Sequence, residues 1–295
     1  CQNAHIAAQL KNGMAIIAYA DGAGSARRSH EGSQSAVKEL FKSLQDQLED
    51  QPTRSDIDWH MILLEAFKEA CRGIEKLAAE AREHPKEFAT TLGCGVLWDR
   101  GLVTGNLGDG MIVAQKPGEP LFIASVPQRG EYANQTWFLT SFNDLQHLQV
   151  HYYPDFVAAI VAMSDGIWNL AVKRHDKASY TPSMGFFEPL LEFAVKCDDR
   201  KESEQKLVGF LSSERVSARS ADDKTLVLAL HSSSYAKCRT HEQASTPRKA
   251  KRSRTRTQNE QSSTSDTVGP TITSHPQQIP WIQRLRQFLC RWRPK

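Results

Sequence analysis

The sequence lacks several patterns that would identify a common class of enzyme or membrane protein. Its six cysteines are scattered and form no CxxC pair, which disfavours a structural zinc site or a disulfide framework and fits a reducing compartment. No apolar run approaches the roughly 20 residues that a membrane-spanning helix needs, and no signal peptide is visible. The GxSxG motif of a serine nucleophile is also missing, so the sequence does not favour that covalent mechanism.

Charge is distributed unevenly along the chain. Residues 236–295 contain 13 Lys/Arg and 3 Asp/Glu, whereas residues 1–235 contain 24 Lys/Arg and 31 Asp/Glu. We expect a folded acidic domain over residues 1–233 and a disordered, basic, Ser/Thr-rich linker over 234–280, because the linker has almost no large apolar side chains. Residues 281–295 have apolar side chains at helical spacing, which predicts an amphipathic basic helix. The chain begins at Cys1, almost within a strand, so we expect that its N-terminus is truncated.

The order of elements indicates an α+β domain. Two apolar stretches around Asn12-Gly13 predict a β-hairpin. Residues 31–48 and 57–83 have the apolar spacing of two amphipathic helices, and short β-rich segments separated by turns follow from residue 90 onward. Helices are expected over 166–174, 185–196 and 203–213, and a strand after Asp223. This order lacks a regular βαβ alternation and therefore favours mostly antiparallel sheets.

Acidic residues occur repeatedly at the ends of apolar strands. Asp21-Gly22 and Asp165-Gly166 each follow such a strand, Asp222-Asp223 precedes one, and Asp109 lies in a turn between two. Each dipeptide alone is compatible with a simple turn. If they converge, the carboxylates repel one another unless a cation neutralises them, and oxygen ligands without a His or Cys cluster favour Mg²⁺ or Mn²⁺. A glycine-rich nucleotide loop at residues 21–32 is disfavoured because its spacing matches neither GxGxxG nor GxxxxGK[ST].

These motifs, taken together, resemble those of a known family. Asp21-Gly22, Thr90-Thr91-Leu92, Gly108-Asp109, Ser164-Asp165-Gly166 and Asp222-Asp223-Lys224-Thr225 follow the order of the metal-dependent protein phosphatases, the protein phosphatase 2C-like family. The sequence DGAGS after the first strand pair is similar to a bacterial subgroup. The resemblance covers roughly residues 1–232. It implies an α-β-β-α sandwich and a cytoplasmic enzyme of kinase/phosphatase signalling that hydrolyses phosphoserine and phosphothreonine.

The resemblance also implies a role for each site residue. Asp21 would bridge two Mg²⁺ or Mn²⁺ ions and the carbonyl of Gly22 would bind one of them. Asp165 and Asp222 would complete the other metal's ligands, and Asp109 would bind a possible third metal. A metal-bridging hydroxide would attack phosphorus directly.

Three departures from the family pattern leave a second interpretation open. Gln2-Asn3 stands where the family carries an acidic pair or Gln-Asp, so Asn3 would orient a metal-bound water rather than supply charge. The phosphate-binding Arg of the family would lie upstream of Cys1. Ala23 replaces a histidine that serves many eukaryotic members as general acid, which leaves His30, Arg27 or Arg28 as nearby candidates. The alternative is a metal-poor pseudophosphatase that binds phosphoproteins without hydrolysing them; the intact Asp21, Asp165 and Asp222 favour the enzyme.

The basic C-terminal segment predicts an interaction. Its apolar residues, which include Trp281, Phe288 and Trp292, are expected to dock on a protein partner or back on the acidic domain, or else on an anionic membrane surface. The basic run from Arg248 to Arg256 has no interleaved aromatic residues, which disfavours nucleic-acid binding.

Overall fold

The computed structural model describes residues 2–49, 57–128, 136–176, 179–196, 199–231 and the backbone of 285–292. They form two five-stranded antiparallel sheets that face each other, with helices on both outer sides. The linker predicted over 234–280 lies outside the described residues. In the part of the chain that is described, no helix is both long and apolar enough to cross a membrane.

The first sheet has the strand order β1-β2-β3-β4-β7. Its strands are β1 (Ala4–Gln9), β2 (Ala15–Ala20), β3 (Leu92–Trp98), β4 (Gly101–Leu107) and β7 (Gln149–Tyr153). The hairpin predicted at Asn12-Gly13 is confirmed: β1 and β2 pair antiparallel, and Gly13 has a φ of 90°, which suits glycine. The sheet therefore begins with a locally specified pair of strands.

The second sheet has the order β12-β11-β8-β5-β6. Its strands are β5 (Met111–Gln115), β6 (Phe122–Ser125), β8 (Ala159–Met163), β11 (Lys224–His231) and β12 (Leu285–Trp292). A separate antiparallel pair consists of β9 (Val172–Arg174) and β10 (Tyr180–Pro182).

The helices cover the two outer faces of the sandwich. The long helices α1 (Ser29–Leu48) and α2 (Trp59–Ala81) pack on the first sheet, close to their predicted bounds. The shorter helices α3 (Trp168–Ala171), α4 (Met184–Lys196), α5 (Arg200–Leu211) and α6 (Glu214–Ser217) follow β8 in the chain. Buried residues of α4 and α5 pack with the outer face of the second sheet.

Successive side chains of β2 point to opposite faces of the first sheet, which shows how the layers are built. Ile16 and Ala18 pack toward α1 and α2, whereas Ile17 and Tyr19 pack against the second sheet. Because both faces are covered, β2 is a continuous apolar run rather than an alternating one. The predicted α-β-β-α sandwich is thus observed.

Two of the local predictions were wrong. The helix expected over 166–174 ends at Ala171, and Val172–Arg174 form β9 because they pair with β10. Residues 285–292 of the predicted C-terminal helix form β12, antiparallel to β11. The unpaired N–H and C=O groups of an edge strand can bond an extended segment, and such tertiary pairing overrides local helical spacing.

Candidate active site

The acidic strand ends converge at one edge of the sandwich. Asp21 follows β2, Asp165 follows β8, Asp222 precedes β11 and Asp109 lies between β4 and β5. Burial raises the pKa of Asp21 well above its ordinary value, and the charges of Asp165, Asp222, Asp109 and Asp223, in that order, raise it further. The structure therefore brings together the acidic residues that the sequence singled out, with the partly buried Asp21 among them.

The backbone on both sides of Asp21 is fixed by two threonines at the start of β3. The amide of Asp21 donates to Thr91 Oγ1 (3.0 Å), and the amide of Thr91 donates to the Asp21 carbonyl (2.8 Å). The hydroxyl of Thr90 also donates to that carbonyl (3.0 Å). These bonds hold the carboxylate of Asp21 at a fixed position relative to the first sheet.

Gly22 is required by close packing rather than by an unusual φ angle. A Cβ at this position would lie 2.7 Å from the Gln2 carbonyl oxygen and 2.8 Å from the Cβ of Ser29. A real Cβ atom essentially never lies this close to a non-bonded heavy atom, so a larger residue would displace the segment before β1 or the start of α1. Gly22 also donates its amide to Gln2 (3.2 Å), which ties the Asp21-Gly22 turn to the start of the described chain.

Ser164 and Thr225 connect the Asp165 strand end to that of Asp222. The amide of Thr225 donates to Ser164 Oγ (3.0 Å), and the amide of Ser164 donates to the Thr225 carbonyl (3.2 Å). At Gly166, a Cβ would overlap the carbonyl oxygen of Asp223. The two acidic segments thus touch through their backbones, which sets the relative positions of Asp165 and Asp222.

Asn3 lies buried beside this junction. Its Nδ2 donates to Thr225 Oγ1 (3.0 Å) and to Ser164 Oγ (3.4 Å). Its Oδ1 is buried without a hydrogen-bond partner among the described residues. A buried acceptor without a donor is costly, so this oxygen is suited to a ligand or a water bound beside the acidic cluster.

The Asp109 turn is held by a buried polar network. Gly108 has a φ of 114°, and its amide donates to Gln128 Oε1 (2.7 Å) while its carbonyl accepts from the Gln128 amide (2.9 Å). Asn106 Nδ2 donates to the same carbonyl (3.0 Å), and Tyr19 Oη donates to Asn106 Oδ1 (3.2 Å). This network places Asp109 near enough to raise the pKa of Asp21.

Asp223 is a site residue whose separate role the sequence did not reveal. Its Oδ2 accepts a hydrogen bond from the backbone amide of Gln2 (2.6 Å), across 221 residues of sequence. Its charge also contributes to the raised pKa of Asp21. The Asp222-Asp223 pair is evident in the sequence. Only the tertiary structure shows that the Asp223 carboxylate links the segment before β1 to the segment before β11.

The residues considered as general acids lie at the beginning of α1, within a separate set of ion pairs. His30 Nε2 lies 3.8 Å from Glu31 Oε1. Arg27 is paired with Glu83 (3.0 Å) and Glu87 (3.1 Å), while Arg28 forms a bidentate pair with Glu31. The position of Ala23 is also settled: it is buried and donates its amide to Ala89 (2.9 Å). The general-acid role of His30 stays a prediction.

Cys94 has the sequence spacing of a catalytic cysteine but lies buried in the protein. Cys94 and Arg100 have the CxxxxxR spacing of cysteine nucleophiles. The thiol lies buried in β3, and desolvation raises its pKa to about 12. A thiol with that pKa is protonated at neutral pH, and the thiolate is the nucleophilic form. Cys94 is therefore a core residue.

The acidic cluster fits a hard divalent cation by its chemistry. Its side chains offer carboxylate and amide oxygens, which Mg²⁺ and Mn²⁺ prefer, and their mutual repulsion at Asp21 is the kind that a cation relieves. Within the described ranges, no three His, Cys, Asp or Glu side chains already lie close enough together to hold a metal ion. Mg²⁺ sites in proteins commonly retain several waters, so a site of this kind does not require three carboxylates in direct contact.

Comparison with known proteins identifies the family. A family model for Protein phosphatase 2C matches residues 1–212. The chain belongs to this family. This phosphatase is 30% identical over 217 residues to Serine/threonine-protein phosphatase 3 of Escherichia coli (strain K12), a match that covers 72% of this chain and 83% of that protein. The family assignment drawn from the motifs is thereby confirmed, and with it the interpretation that the chain is a protein phosphatase.

Solved structures share the fold of this phosphatase. A crystal structure of a bacterial serine phosphatase aligns with a TM-score of 0.54, and one of a form bearing a mutation aligns with a TM-score of 0.55. Each is 14% identical and covers 78% of this chain and 91% of the other. At this identity the likeness supports the fold alone, which agrees with the predicted α+β sandwich.

Proposed function

We propose that this phosphatase hydrolyses phosphoserine and phosphothreonine in protein substrates and depends on Mg²⁺ or Mn²⁺. The observation that carries the proposal is the convergence of Asp165, Asp222 and Asp109 on the partly buried Asp21, within a protein phosphatase 2C fold. The name of the Escherichia coli relative supports serine and threonine as the phosphorylated residues. A role opposite a bacterial protein kinase in the cytoplasm follows as part of the same proposal.

Asp21, the carbonyl of Gly22, Asp165 and Asp222 would hold two cations, and Asp109 would hold a third. When bound, the cations would neutralise charge on the phosphate and lower the pKa of a coordinated water so that it can attack phosphorus. The threonines at β3 fix Asp21, and the Ser164–Thr225 bonds fix Asp165 relative to Asp222. The chain thus contributes a preorganised set of charges rather than a covalent nucleophile.

Asn3 and Gln2 would support this site from its edge. The Nδ2 of Asn3 is occupied by Thr225 and Ser164, which leaves its Oδ1 to accept a hydrogen bond from a coordinated water. Gln2 holds Asp223 through its amide and Gly22 through its carbonyl. In this arrangement Asn3 orients a water but adds no negative charge, so we expect weaker cation binding than an aspartate would give.

The alternative function, a pseudophosphatase that binds phosphoproteins without turnover, depends on Asn3 and Ala23. Nothing among the described contacts favours it, because Asp21, Asp165 and Asp222 are retained and share one site. A catalytically inactive site is expected to lack one or more of these three carboxylates.

The first test is hydrolysis of a phosphothreonine peptide by the full chain with Mn²⁺ and with EDTA. Asp165→Asn is expected to lower kcat/KM at least about 100-fold, because one electrostatic contact to the transition state is lost. Asp46→Asn, on the exposed face of α1, is the matched control and should retain wild-type activity. Activity that persists in EDTA, or that Asp165→Asn leaves unchanged, would contradict the proposed function.

A further inference from the structure

A second concave site lies among the four short helices, away from the acidic cluster. The cavity has a volume of about 690 Å³ and is lined by residues of α3, α4, α5 and α6. Its apolar lining includes Leu170, Phe186, Phe193, Leu207 and Phe210. A concave, mostly apolar cavity of this volume is typical of small-molecule sites. Phe210 is 39% exposed, so the apolar lining is open to solvent rather than closed into the core.

The charged side chains that line this cavity are all positive. Lys206, Arg215 and Arg219 line it, and no Asp or Glu does so among the described residues. Lys206 is neutralised by Glu202 (2.7 Å). Arg215 and Arg219 form no ion pair within the described part of the chain. Two unpaired guanidinium groups beside an apolar lining complement a molecule that has an apolar body and an anionic group.

We propose that this helical pocket binds a small amphipathic anion, in which the apolar body packs against the phenylalanines and a carboxylate, sulfonate or phosphate bonds Arg215 and Arg219. A neutral apolar molecule would make no use of the two cations, which are exposed to solvent. A fully polar anion would leave the apolar lining in water. The combination therefore selects for ligands that have both parts.

The helical pocket is connected to the acidic site through two short segments. Asn169 and Leu170 of its lining follow Asp165 by four and five residues, and Arg219 precedes Asp222 by three. Asn169 Nδ2 donates to the Arg219 carbonyl (3.5 Å), so the segments contact each other at the cavity. Lys224 Nζ donates to the carbonyls of Ser220 and Asp222 (2.8 Å each), which fixes the loop between Arg219 and the acidic pair. Movement of Arg219 on ligand binding is thereby transmitted to Asp222; this coupling rests on the proposed function.

Binding is tested with 8-anilinonaphthalene-1-sulfonate, an amphipathic aromatic anion whose fluorescence rises in apolar surroundings, titrated against the full chain. N-phenyl-1-naphthylamine, which lacks the sulfonate, serves as the neutral ligand. Arg215→Glu combined with Arg219→Glu is expected to weaken binding of the anion at least about tenfold, the loss of a charge-assisted bond, and to leave the neutral ligand nearly unchanged. Phe210→Glu should weaken both ligands.

Matched controls are Lys42→Glu and Met61→Glu, an exposed cation of α1 and an exposed apolar residue of α2. Both should bind the two ligands as the wild type does. Thermal unfolding of every variant separates a lost site from a lost fold, and Phe210→Glu keeps the test valid if the double charge reversal does not fold. Equal affinities in pocket and control variants would overturn the proposal, because they would mean binding elsewhere on the chain.

Coupling is measured as the Kd of Mn²⁺ by calorimetry with and without decanoate, a second amphipathic anion. A change of at least threefold that disappears in the Arg215→Glu, Arg219→Glu variant would support the coupling. An unchanged Kd with decanoate bound would overturn the coupling and leave the binding site standing. Absence of Mn²⁺ binding under any condition would contradict the proposed function instead.

Discussion

Among single residues, the partly buried Asp21 dominates the acidic site. Asp21 has a raised pKa because of burial first and the neighbouring carboxylates second. Below pH of about 4 Asp21 is protonated in both the folded and the unfolded chain. As the pH rises above that, the unfolded chain releases this proton more readily, so the free energy of unfolding of the metal-free protein decreases. The decrease continues until the pH passes the higher pKa of the folded state.

The substitution Asp21→Asn removes this unfavourable charge. In EDTA at pH 8 we expect it to raise the unfolding temperature by about 2–4 °C, which corresponds to about 1 kcal/mol for a domain of this size, and to change little at pH 4. Added Mn²⁺ should then stabilise the wild type but not the variant. Differential scanning calorimetry at both pH values checks this, with Asp46→Asn as the control. The same pH dependence in wild type and Asp21→Asn would contradict the role given to Asp21.

Asn3→Asp should have opposite effects without and with metal. In EDTA it adds a buried charge beside the acidic cluster and removes the donor to Thr225, so the unfolding temperature should decrease. With Mn²⁺ the added charge should lower the Kd of the metal about tenfold, because an opposite charge nearby favours cation binding. Calorimetric titration with Mn²⁺ measures the second effect, and Asn143→Asp, at an exposed position outside both sites, is the control. A weaker metal affinity in Asn3→Asp would refute this account of Asn3.

At the scale of elements, the site depends on the contact between two strand ends. Gly166 allows the turn after β8 to lie against the backbone of Asp223, and a Cβ there would overlap the Asp223 carbonyl oxygen. Gly166→Ala should therefore separate Asp165 from Asp222 and lower kcat/KM at least about tenfold, since small misplacements of catalytic groups are costly. Gly209→Ala in α5 meets no atom within 4 Å and should be neutral or slightly stabilising, as Ala is the better helix former. Steady-state kinetics with the phosphothreonine peptide would distinguish the two, and equal activity would contradict the role of Gly166.

The elements that the sequence predicted well are those specified by local patterns. The hairpin at Asn12-Gly13 and the helices α1 and α2 follow from turn chemistry and apolar periodicity. The site was predictable in outline because each Asp adjoins a strand end that the sequence marks. The contacts of Asp223, Ser164 and Thr225 were not predictable, because they depend on which strands pair and in which register. The strand β12 was missed for the same reason: Leu285 and its partner in β11, His231, are 54 positions apart in sequence.

At the scale of the whole molecule, β12 joins the C-terminal segment to the edge of the second sheet. It pairs with β11 from His231↔Leu285 to Lys224↔Trp292, so the segment runs toward the strand end that carries Asp222 and Asp223. In the structure this segment is a strand at the edge of the second sheet rather than a helix, and the docking options left open by the sequence stay predictions. The function of that pairing, and any contact with a membrane, stay predictions.

Removal of the C-terminal segment tests this arrangement. A chain of residues 1–235 should lose hydrogen-exchange protection at the amides of β11 that face β12, because a new sheet edge exposes them to water. The amides of β8 should keep their protection, since β8 stays between β11 and β5. Hydrogen-exchange mass spectrometry of the full chain and the truncated chain at equal pH measures both strands in one experiment. Unchanged exchange in β11 would show that residues 285–292 do not occupy this edge in solution, whereas loss of protection in both strands would indicate that β12 stabilises the entire sheet.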